Sequence, residues 1–244
     1  MRITRHVYLV GSGHFGLSHA FDSSVYVVSC DDQLVMIDTG AGCEPEKIVE
    51  NIEKENLEIE KLKTVLLTHS HADHSGGAHF FSENFGCDVF VSYLESDLVG
   101  TADERLLGLD VAKKSGFYSF DYVFHPCKRV KQLSDGDVVR CGKHVFKAIH
   151  VPGHSPGSLC FLIDLPEGRA LFSGDTVFYD GVVGLLNIDT CDLSSYRKSI
   201  RKLDGLDVDM LFPGHGIFPV SRGQSHIDKA IDAMKRLQIP KNFI

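Results

Sequence analysis

The chain has 244 residues, of which 43% are hydrophobic and 24% are charged, and its formal net charge is −8. This composition excludes disordered, collagen-like and coiled-coil proteins and predicts a soluble globular chain. The excess of acidic residues argues against nucleic acid or an anionic membrane as the main partner. No apolar run has membrane-spanning length and the seven cysteines form no C-x-x-C pair, so we expect a cytoplasmic protein with reduced thiols and no membrane partner.

The first half of the chain predicts strands followed by alternating strands and helices. Short β-rich runs bounded by turn residues predict strands at residues 6–10, 25–28, 34–37, 64–67 and 88–91. Apolar residues at helical spacing predict an amphipathic helix over 44–56 and a further helix that ends near residue 85. The leucines of residues 93–131 have the same spacing, which predicts an inserted helical flap there.

The second half of the chain repeats this order. Strands are predicted at residues 138–139, 144–151, 158–164, 170–172 and 210–212. Helices are predicted at residues 193–203 and 223–237. Because no linker rich in Pro, Gly or Ser divides the halves, we predict one α/β domain over residues 1–244, with two facing sheets and helices outside.

The strongest local motif is the segment Thr-His-Ser-His-Ala-Asp-His at residues 68–74, which we call the histidine loop. His69 and His71 are two residues apart, so on an extended chain they point the same way and can bind one metal ion. Asp73 and His74 follow where the chain turns into the next helix, which makes them candidates for a second metal ion.

Three later segments end an apolar run with a glycine and then a metal-binding residue type. The glycine pairs are Gly153-His154, Gly174-Asp175 and Gly214-His215. Glycine allows a sharp turn and a close backbone approach at a strand end, so the following side chain can project into a site. These three segments and the histidine loop together predict a metal centre.

In these motifs the sequence resembles the metallo-β-lactamase superfamily, and within it the glyoxalase II-like hydrolases, from about Tyr8 to His215. The resemblance implies a four-layer αββα sandwich with the flap inserted at about 93–131. It also implies the ligands of two ions: His69, His71 and His154 for the first, Asp73, His74 and His215 for the second, and Asp175 between them. Asp38 matches the family's early strand-end aspartate, which would support the histidine loop through hydrogen bonds.

The donor set indicates the chemistry. Five imidazoles and two carboxylates without a thiolate suit Zn²⁺, Fe²⁺ or Mn²⁺, and we expect two zinc ions. A metal-bridging hydroxide would attack the carbonyl of an ester, thioester or lactone, with Asp73 as general acid and base. The centre would be slightly cationic, so we expect a small, anionic substrate.

Several residues are candidates for substrate binding. The glycine-rich loop of residues 11–19 offers His14 and Phe15, and Tyr179 follows the Asp175 segment closely enough to donate to a carbonyl. Quorum-signal lactonases of the superfamily are similar here, but their tyrosine matches Phe178. Other candidates are Arg222, Gln224 and His226, whose position equally fits a helix start. The flap aromatics Tyr93, Phe117, Tyr118, Phe120 and Tyr122 are candidates for an apolar wall or a homodimer contact.

Two other functions share this motif. Persulfide dioxygenases look similar but use one iron held by two histidines and one aspartate. Nucleases of the ribonuclease Z kind, which are phosphodiesterases, also share it, yet the net charge of −8 and the lack of a basic arm disfavour a nucleic-acid substrate.

Overall fold

The computed structural model describes residues 1–243, which form a mixed α/β protein with two β-sheets and surrounding helices. The chain divides into two compact units, one over Met1–Gln132 and one that begins at Leu133. Each unit contains the greater part of one sheet and its own buried apolar clusters. The single domain predicted from the sequence stays a prediction.

The first unit is built on a six-stranded sheet in chain order. Its strands are β1 Val7–Gly11, β2 Val25–Cys30, β3 Gln33–Ile37, β4 Leu62–Leu66, β5 Asp88–Ser92 and β6 Val130–Leu133. The first three strands pair antiparallel, and β3, β4 and β5 pair parallel. A continuous run of buried residues, such as the Val-Tyr-Leu-Val-Gly of β1, is typical of strands covered on both faces.

Helices of the first unit connect these strands. They are α1 Pro45–Lys54, a 3₁₀ helix Ile59–Lys61, α2 Ala72–Ser75, α3 Ala78–Phe85, α4 Ser96–Thr101 and α5 Leu109–Lys114. Helix α1 begins at Pro45, whose missing N–H costs nothing in a first turn, and buries Ile48 and Ile52. The strand β4 and helices α1 and α3 lie within a few residues of their predicted positions.

The predicted helical flap is only partly helical. It contains α4 and α5 with turns around them, and its last two residues belong to strand β6. Ala102 ends α4 in the left-handed region at φ 58°, and Gly108 precedes α5 at φ 72°. Both conformations break a helical path, which explains why the leucine spacing does not produce one continuous helix.

The second unit contains a five-stranded sheet in the order β11-β10-β9-β8-β7. Its strands are β7 Val138–Cys141, β8 His144–His150, β9 Leu159–Leu165, β10 Gly168–Gly174 and β11 Met210–Pro213. All neighbours pair antiparallel except β10 and β11, which are parallel.

The helices of the second unit are α6 Leu193–Ser199, α7 Gly223–Lys235 and two 3₁₀ helices, Tyr179–Gly181 and Ile200–Leu203. The helix predicted at 193–203 is thus an α-helix that continues as a 3₁₀ turn. Asp192 caps α6 by accepting from the N–H groups of Ser194 and Ser195. Within residues 1–243, no helix has both the length and the apolar character needed to cross a membrane.

Candidate metal centre

The histidine loop of the first unit follows strand β4 and gathers four side chains of metal-binding types. The ring of His69 lies 4.6 Å from that of His71 and 4.1 Å from that of His74, measured between centroids. Asp73 Oδ2 lies 3.4 Å from His74 Nε2. Helix α2 begins at Ala72, so Asp73 and His74 lie on its first turn, as the sequence predicts. Local sequence alone therefore brings these four donors together.

Asp38 lies directly after strand β3 and contacts the histidine loop. Its side chain is buried, and it accepts from Thr68 N–H at 2.7 Å through Oδ1 and from His74 Nδ1 at 2.8 Å through Oδ2. An ionised carboxylate only accepts hydrogen bonds, so His74 carries its proton on Nδ1 and its lone pair on Nε2. The Thr68 hydroxyl donates to Asp38 and accepts from His69 Nδ1 at 3.0 Å, which orients a second ring.

Glu95 is a further anchor of the loop that sequence analysis missed. It is 1% exposed, and its Oε2 accepts from the N–H of Ser70, between the two leading histidines, at 2.7 Å. The loop is also held by Ser75, whose hydroxyl donates to the Ser70 carbonyl at 2.8 Å. A buried carboxylate is costly unless hydrogen bonds compensate it, so this arrangement stiffens the loop backbone.

The second unit brings together His154, Asp175 and His215. Asp175 Oδ2 lies 3.6 Å from His154 Nε2 and 3.5 Å from His215 Nε2. His154 Nδ1 lies 2.9 Å from the carbonyl oxygen of Gly184. Because a carbonyl only accepts, His154 also carries its proton on Nδ1 and presents the Nε2 lone pair on the side of Asp175.

Close packing positions His154. A Cβ on Gly153 would come within 2.3 Å of the Tyr196 ring, and a Cβ on Gly184 within 2.9 Å of His154 Nδ1. Tyr196 is fully buried, and its hydroxyl bonds the carbonyl of Thr176. Residue 153 must therefore be a glycine, because the Tyr196 ring lies too close to its backbone for a Cβ, and the sequence motif suggested such a close approach. The contact between Gly184 and His154 has no local sequence motif.

A stack of aromatic rings lies against His215. Phe243 is 5.4 Å from the His215 ring at an interplanar angle of 25° and 4.8 Å from the ring of Phe178. Asn242 anchors this terminal segment, since its side chain accepts from the Leu185 N–H at 2.8 Å and donates to the Leu185 carbonyl at 2.9 Å. No local sequence motif marks Asn242 or Phe243 as a residue near the candidate site.

The predicted substrate residues lie on the protein surface. Phe15 is 41% exposed, and its ring is 4.9 Å from that of His14 within the loop after β1. Tyr179 is 45% exposed and packs on His226 with 4.6 Å between ring centroids. Burial lowers the pKa of His226, whose Nδ1 accepts from the Asp180 N–H.

The residues around the start of α7 have structural contacts. Gln224 accepts from Val208 N–H and donates to the Leu203 carbonyl, and Arg222 precedes the helix in the left-handed region at φ 58°. Their placement fits the helix-start interpretation.

The two donor sets have the chemistry of divalent metal sites. The first unit supplies three imidazoles and a carboxylate, and the second supplies two imidazoles and a carboxylate. Three of the rings have Nδ1 beside an oxygen, as metal-binding histidines usually do. The His and Asp clusters imply divalent metal ions.

A family model described as the metallo-β-lactamase superfamily matches residues 20–215. The chain therefore belongs to the metallo-β-lactamase superfamily, as its motifs predict. The solved structure of the metallo-β-lactamase GOB-18 from Elizabethkingia meningoseptica is similar over 97% of this chain and 89% of that chain, with a TM-score of 0.75 and 19% sequence identity. That likeness confirms the predicted metallo-β-lactamase fold.

Curated relatives include thioesterases and hydrolases. The chain is 30% identical over 204 residues to hydroxyacylglutathione hydrolase GloC of Haemophilus influenzae, covering 82% of this chain and 88% of the relative. It is 27% identical over 226 residues to atrochrysone carboxyl ACP thioesterase of Aspergillus fumigatus. That match covers 92% of this chain but only 60% of the relative's length. Both relatives are thus named for hydrolytic activities, which is the class that the sequence predicts for this chain.

Proposed function

We propose that the protein is a dinuclear metal-dependent hydrolase that cleaves a thioester, or a related ester or lactone, of a small anionic substrate. The observation that carries the proposal is the pair of oriented donor sets, the histidine loop and the His154, Asp175 and His215 group. The names of the relatives support the thioester, because one is a thioesterase and the other hydrolyses a glutathione thioester.

Each donor has a role in this proposal. One ion would be held by His69, His71 and His154 and the other by Asp73, His74 and His215, with Asp175 as a further carboxylate ligand. Two zinc ions fit these donors best, although Fe²⁺ and Mn²⁺ take the same ligand types. Bound there, the ions would supply a hydroxide nucleophile at neutral pH and polarise the substrate carbonyl.

Asp73 is the proposed general acid and base. Its carboxylate lies 3.4 Å from His74 Nε2 and is partly exposed, so it can both bind a cation and exchange a proton with substrate or water. Asp38 and Glu95 act through the loop, because they hold the main chain and one imidazole in place. His14, Phe15 and Tyr179 offer exposed rings for substrate contact.

The test is thiol release from acyl thioesters by the zinc-loaded protein. Asp73→Asn is expected to lower kcat by about 10² or more, because it removes a proton carrier and a charged ligand. Asp189→Asn, a change at an exposed residue far along the chain, is the matched control and should retain wild-type activity. A loss of less than tenfold for Asp73→Asn, or no thioester cleavage by the wild type, would contradict the proposal.

A further inference from the structure

Four aromatic side chains of the first unit form what we call the aromatic cluster: Phe21, Phe117, Tyr118 and Tyr122. Tyr118 and Tyr122 stack with 4.7 Å between their centroids. Phe21 and Phe117 stack at 6.4 Å, and Phe21 also meets Tyr118 edge-on at 5.2 Å. The cluster therefore joins the segment before β2 to the segment after α5.

This cluster adjoins the histidine loop. Tyr118 and Tyr122 belong to one buried apolar group with Ala72, the residue before the proposed general base, and Phe21 packs against that group. Two residues after Phe21, the N–H of Ser23 donates to the carbonyl of Asp73 at 3.1 Å. Both segments that supply the aromatic cluster thus contact the turn that holds Asp73.

Exposure rises sharply from one end of the cluster to the other. Tyr118 is 5% exposed and Tyr122 is 8% exposed, and the Tyr122 hydroxyl donates to the Ala41 carbonyl at 2.8 Å. Phe117, by contrast, is 62% exposed although its neighbours are packed. A rigidly supported phenyl face that meets water next to a candidate catalytic loop is typical of a binding surface for an apolar group.

We propose that the stacked rings of Phe21 and Phe117 bind the apolar acyl chain of the thioester substrate, and that they make the protein selective for long acyl chains. This inference rests on the proposed function, since it concerns the acyl side of the same substrate. The rings belong to segments that contact the turn holding Asp73, which places an apolar face beside the carbonyl that Asp73 would serve. Each buried methylene is worth about fourfold in binding, so a few methylenes on this face give a strong length preference.

The test uses thioesters of N-acetylcysteamine whose acyl groups range from acetyl to decanoyl. For the wild type, kcat/KM should rise with acyl length. Phe117→Ala should keep the acetyl rate within about twofold and lose about tenfold or more on decanoyl, chiefly through KM. Phe117→Leu, which keeps an apolar side chain, should restore most of the preference. Val123→Ala, a change of a 57% exposed apolar side chain in the same segment, is the matched control and should behave as the wild type.

Other outcomes overturn the proposal. An equal loss on acetyl and decanoyl substrates would mean that Phe117 only supports the histidine loop. An unchanged length profile would mean that the acyl chain binds elsewhere. If sedimentation velocity shows that Phe117→Ala converts a dimer to a monomer without changing the profile, the face is instead a contact between two copies of the chain.

A binding measurement separates this inference from the proposed function. Calorimetric titration with a non-hydrolysable decanoyl thioether analogue should show binding by the wild type and at least about tenfold weaker binding by Phe117→Ala. If the wild type cleaves no thioester but binds the analogue in this way, the proposed reaction fails and the apolar site stands. If the wild type cleaves thioesters but binds the decanoyl analogue no more tightly than an acetyl analogue, the proposed acyl-binding face is refuted and the proposed reaction stands.

Discussion

The two units position their candidate metal-binding residues in different ways. In the first unit all four donors lie in one short loop, and the carboxylates of Asp38 and Glu95 hold that loop through hydrogen bonds. In the second unit the three donors follow three separate strands, and the imidazole of His154 is positioned by the Gly184 carbonyl and by close packing. The first set is therefore sensitive to the loss of a charge, and the second to added volume.

This difference follows from chain geometry. A short loop cannot pack its own backbone against a core, so buried side chains must satisfy its N–H groups. At a strand end the sheet already fixes the position of the backbone. A single hydrogen bond to a backbone carbonyl therefore suffices to orient the imidazole ring. Substitutions matched to each unit test whether this contrast governs metal binding.

The largest expected effect is that of Asp38→Ala. It removes the carboxylate that accepts from the Thr68 main-chain N–H and from Nδ1–H of the His74 ring, which should cost about 3–5 kcal/mol of unfolding free energy. Metal affinity should fall about 10–100-fold, because the His74 ring loses its orientation. Urea unfolding and competition with a chelator measure the two effects.

Asp38→Asn provides the control for this change. The amide keeps the shape and can still accept from Thr68, so stability should fall less than in the alanine variant, while the weaker partner for His74 still reduces metal affinity. Equal metal affinity in Asp38→Ala and the wild type would refute the role of the buried carboxylate.

In the second unit, Gly184→Ala should have the next largest effect. The new methyl would lie 2.6 Å from the main-chain carbonyl oxygen of Asp175 and 2.9 Å from His154 Nδ1. The backbone at Gly184 or at Asp175, directly after β10, must therefore shift. We expect a loss of about 1–3 kcal/mol in stability and weaker metal binding. Gly100→Ala is the control, because its Cβ would meet only the Cys127 carbonyl at 3.8 Å. The contrast fails if both variants bind metal equally well.

A smaller effect is expected from Asn242→Ala. This change removes both side-chain hydrogen bonds to Leu185, the residue after Gly184, at a cost of about 1 kcal/mol. Without this anchor, the segment that orients His154 is less firmly fixed. The protein should therefore bind metal a fewfold less tightly. The control is Gln238→Ala, a change at an exposed residue of the same terminal segment. Identical chelator-competition curves for the two variants would contradict the expectation.

The smallest effect concerns Asp180, at the surface of the second unit. Hydrogen bonds from Lys229 and Lys241 lower its pKa from 3.8 to about 2. Because the folded-state pKa is depressed, the stabilisation is present above about pH 4 and is lost as the pH falls through about 2. Asp180→Asn should therefore lose a little stability at neutral pH and converge with the wild type near pH 2. Urea midpoints across that range measure this, and a difference that stays constant from neutral pH to about pH 2 would contradict it.

The features of the fold and of the candidate site that depend on neighbouring residues could be predicted from the sequence. The histidine loop and the Gly-His and Gly-Asp pairs could be found because each is a run of adjacent residues, and strand ends follow from apolar runs. Glu95 could not be predicted, because it contacts Ser70 from 25 residues away. The Gly184 carbonyl, 30 residues from His154, left no signal because a backbone oxygen is common to every residue type.

The flap shows a different limit of sequence patterns. Leucine spacing predicted helix through residues 93–131, but the left-handed residues Ala102 and Gly108 interrupt it. A left-handed alanine has no sequence signature, because its conformation is imposed by the packing around it. The aromatic residues of the flap likewise divide into buried and exposed members that spacing alone does not distinguish.

The most direct test of the central claim is the metal content of the protein, measured by elemental analysis after purification without added metal. The proposed function predicts about two zinc ions per chain, and about one or fewer after Asp73→Ala or Asp175→Ala. About one iron per chain, with oxygen uptake on glutathione persulfide and no thioester cleavage, would contradict the hydrolase and identify a persulfide dioxygenase-like enzyme instead.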